Sequence, residues 1–181
     1  GSRNDGIQVQ LRGTPDEVER LASALNLVAS TRAGQAVLED VLSRDDVTVS
    51  FAKQVGVTLP GGAFFTTGGT AITQGKQVYI SWEQYGDKPT EVLAAMLAHE
   101  LTHVAQNVAV GTSWWGWPWT TIDREVTAHI VQAIVWSELK GDLTDWEQDR
   151  NLEGALDRNK LRTWIMHNPA YPSWLAPNLT C

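Results

Sequence analysis

Residues 90–107 constrain this chain more than any other stretch. Val92, Leu93, Met96, Leu97, Leu101 and Val104 recur so densely that a helix built from them is largely apolar. A helix of that kind belongs in the interior. At its centre lies Leu97-Ala98-His99-Glu100-Leu101-Thr102-His103-Val104. Two histidines four positions apart stand on one helix face, one turn from each other. Both imidazoles can then reach one zinc ion, at about 2.0–2.1 Å. Glu100 follows the first histidine and points toward the open coordination position. There it can act as general base on a water activated by the metal.

A catalytic zinc takes three protein ligands and leaves a position open. The candidates for the third are Glu125, Asp123, His129 and His167. Glu125 leads, because it lies on the next expected helix, in Arg124-Glu125-Val126-Thr127-Ala128-His129. The loop between the two helices lets the second fold back antiparallel and present Glu125 to the metal. Asp123, three residues after Thr120, suits a cap. His129 lies one turn beyond Glu125 on the same face, either as a partner behind a ligand or as the ligand itself, with the supporting role favoured.

The rest of the chain reads as one domain over residues 1–181. The first thirteen residues read as a tag remnant and flexible N-terminus. Gly1-Ser2, with no initiator Met, fits a piece excised from a longer protein. Thr14-Pro15-Asp16-Glu17 is a helix start with a capping box, followed by Val18, Leu21, Leu25 and Val28 at helical spacing. A second helix is expected over 31–42, with Ala36, Val37, Leu38, Val41 and Leu42 on its inner face. Asp45-Asp46 ends it. Val47 to Phe51 alternates like a half-buried strand, and Gly56 to Gly69 reads as short strands and turns. Gln77 to Trp82 is the clearest strand, with Val78, Ile80 and Trp82 on one face. Helices are expected over 90–107 and 120–140, broken at Gly141-Asp142. Residues 143–166 then read as mostly helical, with Trp146, Leu152, Leu156, Leu161 and Trp164 as core contacts, ending at His167-Asn168-Pro169. The expected fold is therefore α+β and mostly helical.

The formal net charge of −7 argues against a nucleic-acid partner. No apolar run is long enough to span a bilayer. The single cysteine, Cys181, permits no internal disulfide. Nine tryptophans are many for 181 residues, and Trp114, Trp115, Trp117 and Trp119 crowd one loop. That loop reads as the wall of a cleft, a partner contact, an interfacial anchor or a cap on the core.

His99-Glu100-Leu101-Thr102-His103, followed by Glu125-Val126-Thr127-Ala128, resembles the gluzincin class of zinc metallopeptidases. Residues 75–107 also resemble bacterial metallopeptidase domains found beside contractile injection systems and in polymorphic toxins, through Val78-Tyr79-Ile80 and Leu97 to Val104. The likeness is loose over 47–135 and close over the helix. One departure is His129, where these families carry Asp. The resemblance implies a zincin-like fold, with a small twisted sheet over the active-site helix and a helical C-terminal part. It implies His99, His103 and Glu125 as zinc ligands, and Gln77 to Trp82 as the sheet edge that takes an extended peptide by strand addition. It also implies an oxyanion donor from the C-terminal part, for which His167 and Tyr171 are candidates.

The reading is a zinc-dependent metallopeptidase acting on a protein or peptide, with Glu100 as base and then as acid. A bacterial effector or toxin domain, secreted or delivered from a larger parent protein or injection apparatus, fits the resemblance. Competing readings are a zinc hydrolase with a non-peptide substrate, an intracellular regulatory peptidase that cuts a repressor, and a non-enzymatic zinc-binding module of a secretion or injection apparatus. Glu100 separates the last from the rest, since a structural zinc gains nothing from a carboxylate beside its ligand.

Overall fold

The fold is taken from a computed structural model of the chain, which describes residues 9–42, 46–52, 56–58, 64–66, 71–74, 76–110 and 122–167. In chain order, β1 (Val9–Arg12) leads to α1 (Pro15–Ser30), α2 (Arg32–Leu42) and β2 (Val47–Ala52). Next come β3 (Gly56–Thr58), β4 (Phe64–Thr66), β5 (Ala71–Gln74) and β6 (Gln77–Ser81). The helices α3 (Trp82–Tyr85), α4 (Thr90–Val110), α5 (Ile122–Leu139), α6 (Trp146–Ala155) and α7 (Arg158–His167) follow. The result is a mostly helical α+β arrangement with a small sheet.

The sheet runs in the order β1-β2-β6-β5. The first three strands are mutually parallel, and β5 returns antiparallel to β6 with Thr73 opposite Val78. β3 and β4 form a separate antiparallel pair. β1 lies inside the stretch expected to be flexible. It is held because Val9 and Leu11 pack against the main core. The expected edge is also corrected. β6 is flanked on both sides, by β2 and β5, and β5 is the end strand among the described residues. Trp82 leaves the strand to start α3, whose first turn is capped by the Ser81 hydroxyl. Its indole, 41% exposed, meets the edge of Phe51 at 4.9 Å rather than entering the core.

α1 starts where its capping box demands. Glu17 N donates to the Thr14 hydroxyl at 3.2 Å, and Thr14 N donates to Glu17 Oε1 at 2.8 Å. Thr31 turns the chain into α2, its hydroxyl donating to Val28 O at 2.8 Å and accepting from Gly34 N at 3.0 Å. The turn is so tight that a Cβ on Gly34 would stand 1.9 Å from Val28 O. α2 buries Gly34, Leu38 and Val41, which turns Ala36 outward against expectation.

α4 is the central post. Every residue from Val92 to Val104 is buried. It packs on α1, α2 and α5, and the sheet reaches it through β5 and β6. The main core joins Leu21 and Val28 of α1, Val47 and Val49 of β2, Val78 and Ile80 of β6, and Leu93, Leu97 and Leu101 of α4. A second, smaller cluster holds Ile122, Val126, Leu161 and Ile165.

The C-terminal helices correct two expected core contacts. Trp146 is 74% exposed and Leu156 is 85% exposed. The reason is that α6 buries Gln148 and Asn151 instead of an apolar stripe. That orientation leaves Trp146 outside with the Arg150 guanidinium 5.1 Å from its ring, and puts Leu156 at the C-cap. Leu161 is buried, as expected. No helix among the described residues is long and apolar enough to cross a membrane.

Candidate metal centre

α4 and α5 lie side by side, and their contact brings His99, His103 and Glu125 together. All three are buried, with one ligand atom from each within 4.8 Å of the others. His103 Nε2 stands 2.8 Å from Glu125 Oε1, and His99 Nε2 stands 3.2 Å from Glu125 Oε2. Atoms bound to one tetrahedral zinc at about 2.0–2.1 Å stand about 3.3 Å apart, so these spacings suit a single ion.

The hydrogen bonds behind the histidines test the fit further. His103 Nδ1 lies 2.9 Å from Gln106 Oε1, and Gln106 Nε2 donates to Arg124 O at 3.1 Å. A backbone carbonyl only accepts, so it fixes which end of the Gln106 amide faces the ring. That end is the oxygen, so His103 keeps a proton on Nδ1 and directs Nε2 at the centre, where it would offer a lone pair to a cation. His99 Nδ1 meets Gln132 Oε1 at 2.7 Å in the same sense. Two imidazole nitrogens and one carboxylate, buried and converging, form a donor set that could hold a metal ion.

Charge follows from this crowding. Burial pulls His103 down, but the Glu125 carboxylate, by charge and hydrogen bond, and then Glu100 outweigh it and raise the ring to about 9. His99 is raised for the same reasons, after the same burial penalty. Burial pushes Glu125 up, but both histidines overcome that and hold it well below the usual carboxylate range. A cation held at the centre would take over the role those protons play.

Glu100 is 5% exposed and stands apart from the triad, with Oε2 3.7 Å from His99 Nε2. The Thr73 hydroxyl on β5 lies 2.9 Å from Glu100 Oε1 and 3.0 Å from the Glu100 carbonyl. The end strand thereby holds the carboxylate beside the centre.

His129 is buried and meets the ring of His99 edge-on at 4.6 Å and that of Trp164 at 5.5 Å. Its Nε2 is 3.6 Å from Glu125 Oε2. Burial, reinforced by the charges of His99 and His103, lowers it to about 3 although Glu125 and Asn151 favour its charged form, so it is neutral near neutrality. Asp123 is turned out of the centre and pairs with Arg162. His167, the last residue of α7, is exposed with Nδ1 2.9 Å from Thr163 O, and it supplies no atom to the triad. Tyr171 and the tryptophan loop, 111–119, lie outside the described residues.

Sequence reasoning missed Thr73, Gln106, Gln132, Gln148 and Asn151. Two carried a usable signal. Gln106 lies one turn after His103, and Gln132 lies two turns after Glu125 as a polar residue within an apolar run. Thr73, Gln148 and Asn151 reach the site only through tertiary contacts.

Among known families, residues 63–111 match the eCIS core domain, the core domain of extracellular contractile injection systems. The match takes in β4, β5, β6, α3 and α4, with Thr73, His99, Glu100 and His103, and stops short of Glu125. No curated protein and no solved structure matches the chain. The centre thus lies partly within a segment similar to a domain of injection systems, and partly on a helix beyond it.

Proposed function

We propose that this protein is a zinc-dependent metallopeptidase belonging to a contractile injection system or to an effector that such a system delivers. His99, His103 and Glu125 would hold the ion. The observation that carries the reading is Glu100, a buried carboxylate held against the triad by Thr73 without belonging to it. Zinc, when bound, would supply Lewis acidity toward a water and toward the substrate carbonyl. Glu100 takes the proton of the attacking water and passes it to the leaving amine, as base and then acid. Thr73 keeps one carboxylate oxygen engaged and leaves Oε2 on the side of His99. Gln106 and Gln132 keep both imidazoles from turning. An extended peptide would add to β5, the end strand that carries Thr73, rather than to the interior β6.

The match to the eCIS core domain also favours a second reading, a zinc-binding module with a purely structural role in the apparatus. Structural zinc is normally closed by four protein ligands, and the triad found among the described residues offers three. The test is Glu100→Gln, assayed on a fluorogenic peptide library with zinc measured in parallel. The peptidase reading expects zinc retained and kcat/KM lowered by about 10²–10⁴-fold. Undiminished hydrolysis in Glu100→Gln would remove Glu100 as the base. No hydrolysis by the wild-type chain, with zinc bound, would favour the structural module.

A further inference from the structure

We propose that the centre extends one layer outward to α6, through a buried relay in which Gln148 positions Gln132 and Gln132 positions His99. The inference rests on His99 being a metal ligand, and it adds two positioning residues on two different helices. Gln132 and Gln148 are both fully buried. His99 Nδ1 is 2.7 Å from Gln132 Oε1, and Gln132 Nε2 donates to Gln148 Oε1 at 2.6 Å. The backbone of Gln148 is itself fixed, its N–H donating to the Asp145 cap at 3.1 Å. Chain connectivity therefore runs from a helix cap, through two amides, to one imidazole.

The two histidines are served differently. Gln106 is on the same helix as His103 and is oriented by a backbone carbonyl, so its direction is set locally. His99 has no such local partner. Its orientation depends on a side chain of α5, and that side chain depends on α6. Two buried amides are an expensive way to join helices, since apolar packing carries no desolvation cost. Gln148 Nε2 also has no hydrogen-bond partner among the described residues. What the pair provides is an acceptor held at His99 Nδ1–H, which directs Nε2 at the centre. Without Gln148 to accept from its NH₂, Gln132 would be free to swing away from the His99 ring.

This arrangement makes a distinctive forecast for Gln132→Glu. A carboxylate at that place accepts from His99 Nδ1 in either orientation. The Gln148 amide then turns to donate its Nε2, the group that now lacks a partner.

The experiment is zinc affinity by competition with a chromophoric chelator, for the wild-type chain, Gln132→Leu, Gln148→Leu, the double variant and Gln132→Glu. Circular dichroism checks the fold of each. Gln132→Leu should weaken zinc binding by about 10–100-fold. Gln148→Leu, which touches no ligand, should weaken it less, and the double variant should bind no worse than Gln132→Leu alone. Gln132→Glu should bind at least as tightly as wild type. Multiplying losses in the double variant, or Gln132→Glu as weak as Gln132→Leu, would overturn the relay. A second readout needs no metal. In the metal-free chain, where Glu125 faces Nε2, nitrogen-15 NMR should show the His99 Nδ1 proton held against solvent exchange in the wild type and exchanging faster in Gln132→Leu. If the wild type takes up no zinc, the metal reading falls, and a His99 Nδ1 proton that exchanges as fast in the wild type as in Gln132→Leu would bring down the relay separately.

Discussion

On the side of α4 that faces α1, α2 and the sheet, the buried contacts are made by Leu21, Val28, Val49, Ile80, Leu93 and Leu97. On the side that faces α5, with α6 behind it, the buried groups include His99, His103, Glu125, His129, Gln132, Gln148 and Asn151. The nearby apolar cluster on that side has four buried members among the described residues, Ile122, Val126, Leu161 and Ile165. The groups named on both sides are buried, and they are held in different ways. Apolar burial is non-directional and tolerates small shifts. Buried polar groups must each find a partner in the right direction, so they specify geometry at a cost in stability. The first side anchors α4, and the second aims the side chains that α4 carries.

The largest effect is expected from the apolar side. Leu93→Ala removes a fully buried side chain between α4 and its neighbours. It should cost about 2–5 kcal/mol of unfolding stability, measured by urea titration. Zinc affinity of the folded fraction should stay within about twofold of wild type, as expected for sites that share no partners. A parallel loss of zinc would show that the two sides are not separable.

The polar side should reveal itself through pH. In the metal-free chain, the native pKa of His103 is raised to about 9 from 6.5. Its stabilising contribution is whole below 6.5 and fades as pH rises toward 9. His129 is lowered to about 3 from the same value, so the unfolded chain takes a proton that the native chain refuses, and stability falls as pH drops below 6.5. Glu125, lowered well below 4.5, also loses its stabilising effect in acid. The metal-free Tm should therefore peak near pH 6.5 and decline on both sides. Saturating zinc should abolish the alkaline decline, because binding removes the same protons. A flat metal-free profile between pH 6.5 and 9 would show that His103 and Glu125 are not paired.

The smallest effect belongs to the outer surface. Leu156, 85% exposed, touches neither side's interior. Leu156→Lys should change stability by no more than about 0.5 kcal/mol. A loss of 2 kcal/mol or more, roughly what burial of a leucine is worth, would mean that Leu156 packs inside after all.

The same division explains what could be read from the chain. α1, α4 and α5 were legible because their signals are local: the Thr14–Glu17 box, the apolar run around His99, and the spacing of Glu125 beyond it. The triad was legible because a four-residue interval on a helix has a geometric meaning. β1 was missed because its pairing with β2 depends on residues 38 positions away. The place of β6 in the middle of the sheet was missed for the same reason. Trp146 and Leu156 were misplaced because hydrophobicity was taken to mark the inner face of α6. In fact the polar residues Gln148 and Asn151 face inward, toward the histidine side of α5. Where a buried site demands polar neighbours, apolar periodicity points the wrong way.

The most direct measurement is the zinc content of the purified chain after reconstitution and dialysis, with Glu125→Ala and His129→Ala beside it. The account predicts one zinc per wild-type chain, lost in Glu125→Ala and kept in His129→Ala, matching the triad of His99, His103 and Glu125. A wild-type chain that holds no zinc, or a Glu125→Ala variant that holds it as firmly as wild type, would contradict it.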